Sequence, residues 1–238
     1  MIEAPTLVFT FDINANKGIT DRLNRIRTFY NHSIGSANKL GYRTEIYSNC
    51  DWFDELVDLK HEVKDSFFFW DGFKTIPLTR NDNFILVDGD ITFLNLFDYL
   101  DPNVDLYFDT YESWYKDHNN TIKELTRLNI GKIIPEWDDT PKPIINIGVL
   151  KINNQELRNL YLQRWFTFQD FCYQNQNKIK NIHHCCTIGS QYILTLLSEK
   201  YSKFYFSQKV KIPNKYYIHH WGEDKYFKPL PKFSSSSI

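Results

Sequence analysis

Surplus charge, long apolar runs and cysteine are all scarce in this chain, and each scarcity removes a class of protein. The 238 residues carry 28 basic against 29 acidic side chains, a net charge of -1. The basic residues are scattered, so the positive face that a nucleic acid partner requires is missing. No apolar run approaches the roughly 20 residues that cross a bilayer, and Met1-Ile-Glu-Ala-Pro5 lacks the basic and apolar segments of a secretory signal. The expectation is a soluble, cytoplasmic protein without a transmembrane segment. Four cysteines, Cys50, Cys172, Cys185 and Cys186, are too few and too unevenly placed for a disulfide framework, so free thiols are expected. His183-His184-Cys185-Cys186 sets four metal-binding side chains side by side, but adjacent residues wrap poorly around one tetrahedral ion, and no Cys-x-x-Cys or His-x-x-x-His spacing accompanies them.

Core-forming residues, by contrast, are plentiful. With 42% hydrophobic and 17% aromatic content the chain can bury a substantial core, and one domain over residues 1–228 is expected. The serine-rich residues 229–238 read as a tail or a linker to a further domain. Thr6 to Phe11 has the composition of a strand. Asp21 to Leu40 carries Leu23, Ile26, Tyr30, Ile34, Ala37 and Leu40 at helical spacing, stopped by Gly41. Tyr42 to Tyr47 then alternates like a second strand, which opens the chain as a crossover unit with a parallel sheet. A short helix is expected over Trp52 to Leu59, an aromatic helix over Phe67 to Ile76, and strands over Val104 to Phe108 and Ile144 to Ile152. Further helices are expected over Gln155 to Gln174 and Cys185 to Tyr201. Late strands are expected over Lys203 to Phe206 and Tyr216 to His220. Tyr111 to Pro143 is polar and broken by Gly131, Pro135, Pro141 and Pro143, so it reads as a long excursion with a helix over Thr121 to Leu128. The class is α/β.

Chemistry concentrates in two places. Phe84-Ile-Leu-Val-Asp-Gly-Asp90 ends a buried strand in two carboxylates, and Gly89 lets the chain turn so that Asp88 and Asp90 converge. Carboxyl ends of such strands are where α/β sheets bind ligands, and paired hard oxygens suit Mg²⁺ or Mn²⁺. The second place is His219-His-Trp-Gly222-Glu-Asp-Lys225. An imidazole there adds a nitrogen ligand that Mn²⁺ tolerates, Gly222 admits a phosphate close to backbone, and Lys225 meets its charge. Strand alternation allows only one of His219 and His220 to face a shared ion, and the spacing to Gly222 and Lys225 favours His219. In the strand over Ile144 to Ile152, Asn146 and Gly148 mark a close approach, read here as that of a ligand.

These pieces, in this order, resemble the retaining glycosyltransferases of the GT-A fold, in particular the glycogenin-like and lipopolysaccharide galactosyltransferase family. The resemblance rests on Asp88-Gly89-Asp90 as the metal-binding Asp-x-Asp and on His219-x-x-Gly222-x-x-Lys225 as the C-terminal block. It implies a single-domain, mostly parallel sheet flanked by helices. It also implies Asp88, Asp90 and His219 as metal ligands and Lys225 on the diphosphate. Lys74 lies where a basic residue precedes the Asp-x-Asp strand, Asn146-Ile-Gly148 matches the strand that contacts the donor sugar, and Asp12 with Thr10 matches the carboxylate that reads uracil. Gly189-Ser190-Gln191 keeps the glutamine of the family's Asp-Gln pair but has serine for the aspartate. The implied activity is transfer of a sugar from a nucleotide-diphosphate donor, a UDP-sugar, to a hydroxyl of a glycan, protein or lipid-linked acceptor, with retention. Mn²⁺ or Mg²⁺ is the implied cofactor, and Asn146, Gln191 and Asp90 are the implied catalytic residues.

An inverting enzyme would need a general base, and Glu112, Glu136, Asp138 and Asp139 are the candidates in the excursion. Trp114, Tyr115 and Trp137 offer rings on which an acceptor sugar could stack. Two other readings stay open. Ile85 to Thr92 also resembles the Asp-x-Asp-x-Thr of haloacid dehalogenase phosphatases, with Asp88 as nucleophile and Asp90 as acid/base. A silent nucleotide-sugar binder that keeps the fold is the other.

Overall fold

The computed structural model describes residues 5–11, 20–50, 56–58, 74–80, 83–97, 100–113, 116–200 and 209–220. Strand β1 (Thr6–Phe11), helix α1 (Thr20–Lys39) and strand β2 (Thr44–Ser48) form the expected opening unit, with β1 and β2 parallel. Helix α1 presents Phe29, Ser33, Ser36 and Ala37 as a buried stripe at helical spacing. Its small residues admit a neighbouring strand closely, and Ser36 Oγ accepts the Phe93 N–H at 2.9 Å. The helix ends at Gly41, whose φ of +83° is the left-handed geometry that favours glycine.

Strand β3 (Leu56–Asp58) adds to β2 in parallel. This replaces the short helix expected over Trp52 to Leu59. Pairing with the open edge of β2 satisfies the backbone groups of so short a segment, which an isolated helical turn leaves unpaired. Of the expected aromatic helix over Phe67 to Ile76, residues 67–73 lie outside the described residues, and the described turn is α2 (Thr75–Leu78). Pro77 fits there because first-turn N–H groups have no partner in the helix anyway.

Strands β4 (Phe84–Val87), β6 (Leu106–Glu112), β7 (Ile144–Ile152) and β8 (Lys209–Lys211) complete a seven-stranded sheet of order β3-β2-β1-β4-β7-β6-β8. Strand β7 runs antiparallel to β4 and β6, and the other described pairings in this sheet are parallel. A second, two-stranded sheet pairs β5 (Ile91–Phe93) with β9 (Tyr217–His219), antiparallel. The fold is α/β, a mostly parallel central sheet flanked by helices.

Both faces of the central sheet are buried. In β4, Phe84 and Leu86 point into one core, and Ile85 and Val87 into the other. Each of these side chains contributes about 1.5–3 kcal/mol by leaving water, which is why the strand reads as an unbroken apolar run. The first core lies under α3 (Lys116–Arg127), α4 (Gln155–Gln174), α5 (His184–Thr187) and α6 (Ile193–Lys200). The second lies under α1, β5 and β9. Asn154 caps α4, its side chain accepting the Leu157 N–H at 2.9 Å.

Helices α5 and α6 are joined by a π-helical turn over Ile188–Tyr192, within the single helix expected from Cys185 to Tyr201. The excursion is more ordered than its composition suggests. Helix α3 starts at Lys116, five residues before the expected Thr121, and a 3₁₀ turn follows at Ile130–Lys132. The loop beyond is pinned by Arg164, which bonds Glu136 through both Nε (2.8 Å) and Nη2 (3.1 Å). The four cysteines are buried free thiols. No helix among the described residues is long and apolar enough to cross a membrane.

Candidate metal and donor site

The site forms where β4 ends. Neighbours β2 and β4 lie on opposite sides of β1, so the carboxyl ends of β1 and β4 flank a point where the strand order reverses. Asp88 N–H donates to Gly148 O at 2.8 Å, the last rung of the β4–β7 ladder. Two residues on, Asp90 O accepts the His220 N–H at 2.9 Å as the chain enters β5. The Asp88-Gly89-Asp90 turn is therefore fixed at one end by the large sheet and at the other by the small one. A side chain on Gly89 would meet the Tyr30 ring at 2.2 Å. That ring is held by its hydroxyl, which donates to Thr10 O at 2.7 Å, so Thr10 at the end of β1 and Gly89 are coupled through α1.

Pairing of β5 with β9 sets Ile91 opposite His219 and brings the C-terminal imidazole to the acidic turn. One donor atom each from Asp88, Asp90 and His219 lie within 4.8 Å of one another. Ligands on opposite sides of a Mg²⁺-sized ion stand about 4 Å apart, so shifts under about 1 Å would let all three share a cation. His219 Nε2 is 3.4 Å from Asp90 Oδ1, and His219 Nδ1 is 2.5 Å from Asp109 Oδ2. Asp109 is almost fully buried and its other oxygen accepts the Tyr217 hydroxyl at 2.5 Å. A carboxylate behind one ring nitrogen fixes the tautomer and aims the other nitrogen, the arrangement usual for a metal-binding histidine. The residues present thus fit a divalent cation.

Electrostatics agree with the geometry. Burial alone would lower the pKa of His219, but hydrogen bonding to Asp109 and Asp90 and the charges of both raise it to about 10. In the metal-free protein the ring is a cation between two carboxylates. Lys74 Nζ lies 2.7 Å from Asp88 Oδ1, and its side chain is only 7% exposed. A buried ammonium thus offsets the acidic turn from the other side.

Gly148 lies where the β6–β7 register breaks between Phe108 and Thr110. The space left by its missing side chain is taken by the His219 ring: a Cβ there would stand 2.4 Å from Cε1 and 2.9 Å from Nδ1. The close approach that the sequence marks at this glycine is therefore made by His219. Asn146 Oδ1 accepts the Gly148 N–H at 2.6 Å, and its amide donates to Glu112 Oε1 at 2.6 Å. Gln191 lies in the π-helical turn, a distortion frequent at functional sites. Its Oε1 is buried and accepts no hydrogen bond, which in a native fold asks for an explanation.

Asp88, Asp90, His219, Lys74, Gly148 and Asn146 are brought together. Asp12, Gly222 and Lys225 lie outside the described residues, as do Trp114 and Tyr115. His220 turns away: its Nε2 is 2.8 Å from Thr92 Oγ1 and its ring lies beside Phe29. Trp137 is not an open platform, since it stacks on Phe168, meets Tyr192 edge-on and donates to Thr126 Oγ1. Of the candidate bases, Glu136 is held by Arg164, and Asp138 by Lys142 at 2.7 Å. His184 Nδ1 contacts Thr121 Oγ1 at 3.0 Å, and among the described residues no group of three metal-ligating side chains forms around His183 to Cys186.

Sequence reasoning missed Asp109 and Tyr217. A signal existed for each. Asp109 follows the strand-like run Val104 to Phe108 in sequence, as Asp88 follows Phe84 to Val87, and Tyr217 stands two residues from His219, hence on the same strand face.

No family model and no curated protein sequence matches the chain. Solved structures similar to it include two glycosyltransferases. Mouse xyloside xylosyltransferase 1 in its apo form is 12% identical, over 89% of this chain and 86% of that one, with a TM-score of 0.44. The apo structure of the bifunctional glycosyltransferase WbbM is 11% identical with a TM-score of 0.35, over 90% of this chain and 39% of that one.

Proposed function

We propose that the protein is a metal-dependent glycosyltransferase that moves a sugar from a UDP-sugar to a hydroxyl acceptor with retention. The observation that carries this reading is the convergence of Asp88, Asp90 and His219, two of them on one turn and the third about 130 residues away in sequence, within 4.8 Å. These three side chains would hold Mn²⁺ or Mg²⁺. A cation held there would supply Lewis-acid charge to offset the negative charge that develops on the diphosphate as the glycosidic bond breaks.

The remaining roles belong to the chain itself. Asp109 and Tyr217 hold the His219 ring in place. Lys74 supplies positive charge beside the diphosphate, and Lys225 adds to it from the C-terminal block. Thr10 and Asp12 meet the uracil. Asn146, Gly148 and Gln191 orient the sugar, chiefly a positioning effect. Retention is the outcome the family resemblance implies, and of the four carboxylates named as possible bases Glu136 and Asp138 are tied to Arg164 and Lys142.

The test is thermal denaturation of the protein with UDP and UDP-sugars, with and without Mn²⁺. A ligand at one hundred times its Kd stabilises by about 2.7 kcal/mol, a rise in Tm of roughly 5–10 °C at this size. Asp90→Ala and His219→Ala should each remove the Mn²⁺-dependent part. Unaltered metal dependence in both variants would refute the site, and p-nitrophenyl phosphate hydrolysis abolished by Asp88→Asn would favour the phosphatase instead.

A further inference from the structure

Glu112 is an acidic side chain of the site that, among the described residues, pairs with no Lys or Arg and has no place among the three convergent ligands. It closes β6, opposite Ile144 in the register, and is half-buried. One carboxylate oxygen accepts the Asn146 amide at 2.6 Å, and the other accepts no hydrogen bond from the described residues. Asn146 in turn is locked by the Gly148 N–H, and Gly148 touches His219, so Glu112 is held in fixed relation to the cluster through two short bonds. Burial raises its pKa, the Asn146 bond and the charge of His219 lower it, and Asp109 and Asp88 raise it again. Glu112 therefore stands within electrostatic reach of the acidic turn.

What a carboxylate in that place can bind follows from its charge. A phosphate is disfavoured there, since Glu112 would repel it and among the described residues no Lys or Arg pairs with Glu112 to offset the repulsion. A neutral ring bearing hydroxyls is welcome, because each hydroxyl donates to a carboxylate in a charge-assisted bond. The Asn146 amide retains one further N–H beside it, so the pair presents an acceptor next to a donor. That is the complement of two neighbouring hydroxyls on a pyranose.

We propose that Glu112 is a donor-specificity residue: its open oxygen accepts a hydroxyl of the transferred sugar, beside the Asn146 amide. The inference rests on the nucleotide-sugar reading above and extends it from the diphosphate to the sugar.

Calorimetry with Mn²⁺ on the wild type and on Glu112→Gln tests it, using UDP, UDP-glucose, UDP-galactose and UDP-xylose as probes. Glutamine can still accept the Asn146 bond but loses the charged acceptor. Affinity for the best-bound UDP-sugar should fall about tenfold or more, while affinity for UDP stays within about twofold. An unchanged ratio of UDP-sugar to UDP affinity overturns the assignment. If Glu112→Gln does not fold, monodeoxy analogues of that UDP-sugar are titrated against the wild type and Glu112→Asp. One deoxy position should lose affinity in the wild type and much less in Glu112→Asp, and equal losses in both proteins overturn the proposal. Absence of Mn²⁺-dependent binding of UDP and all three UDP-sugars by the wild type would instead overturn the donor reading itself.

Discussion

Replacing Gly148 by alanine drives a methyl group into the ring that completes the cluster. The added Cβ would lie 2.4 Å from His219 Cε1, 2.9 Å from Nδ1 and 3.0 Å from Asn146 Oδ1. Carbon contacts settle at about 3.5–4.0 Å, so the ring must retreat by about 1 Å. It has little freedom to do so, because Asp109 holds Nδ1 at 2.5 Å and β9 is paired to β5 on either side of the residue. Overpacking of this kind costs about 1–3 kcal/mol, which at 2–4 °C per kcal/mol lowers Tm by roughly 2–12 °C. Metal geometry tolerates only about 0.2 Å, so Mn²⁺ affinity should fall far more steeply than stability. Thermal melts in EDTA give the first quantity and calorimetric Mn²⁺ titration the second. Gly35→Ala is the control: its Cβ meets nothing within 4 Å in the interior of α1, and helix propensity makes the change neutral or stabilising by up to about 1 kcal/mol. A Gly148→Ala protein with wild-type Tm and wild-type Mn²⁺ affinity would refute the packing of His219 on β7 and the site built on it.

Two further outcomes are expected. Arg164→Leu strips the bidentate partner from Glu136, whose side chain is 1% exposed, and should destabilise the protein by about 3–5 kcal/mol in urea titration; a loss under about 1 kcal/mol would show that the pair does not anchor the excursion. His219 has a folded pKa of about 10, above its unfolded value of 6.5, so its ion pairing stabilises the metal-free fold fully below pH 6.5 and is lost as pH rises toward 10. Melts in EDTA across that window should fall with pH in the wild type and much less in His219→Gln, while Mn²⁺ affinity of the wild type rises as the Nε2 proton is released; parallel pH slopes for the two proteins would disprove the Asp109–His219 pairing.

Local rules reached far into this chain. The β7 and α4 limits coincide with those read from Ile144 to Ile152 and Gln155 to Gln174, because one is an apolar run with a break and the other opens after an Asn cap. Where local rules failed, a neighbour distant in sequence supplied the deciding partner. Leu56 to Asp58 became strand because β2 offered an open edge. Trp137 became core because α4 and the π-helical turn lie across it. Glu136 and Asp138 lost any claim to be free bases because Arg164 and Lys142 reach them.

From residues alone came the α/β class, the acidic turn at a strand's carboxyl end, and the histidine that belongs with it, since apolar periodicity and ligand type are properties of short segments. Tertiary structure decided that Asp90 and His219 stand 3.4 Å apart, that Asp109 and Tyr217 orient the ring, and that Glu112 is tied to the cluster through Asn146. The physical reason is the β5–β9 pair and the β7 register break. Both join residues far apart in sequence, through backbone hydrogen bonds whose partners no local pattern encodes.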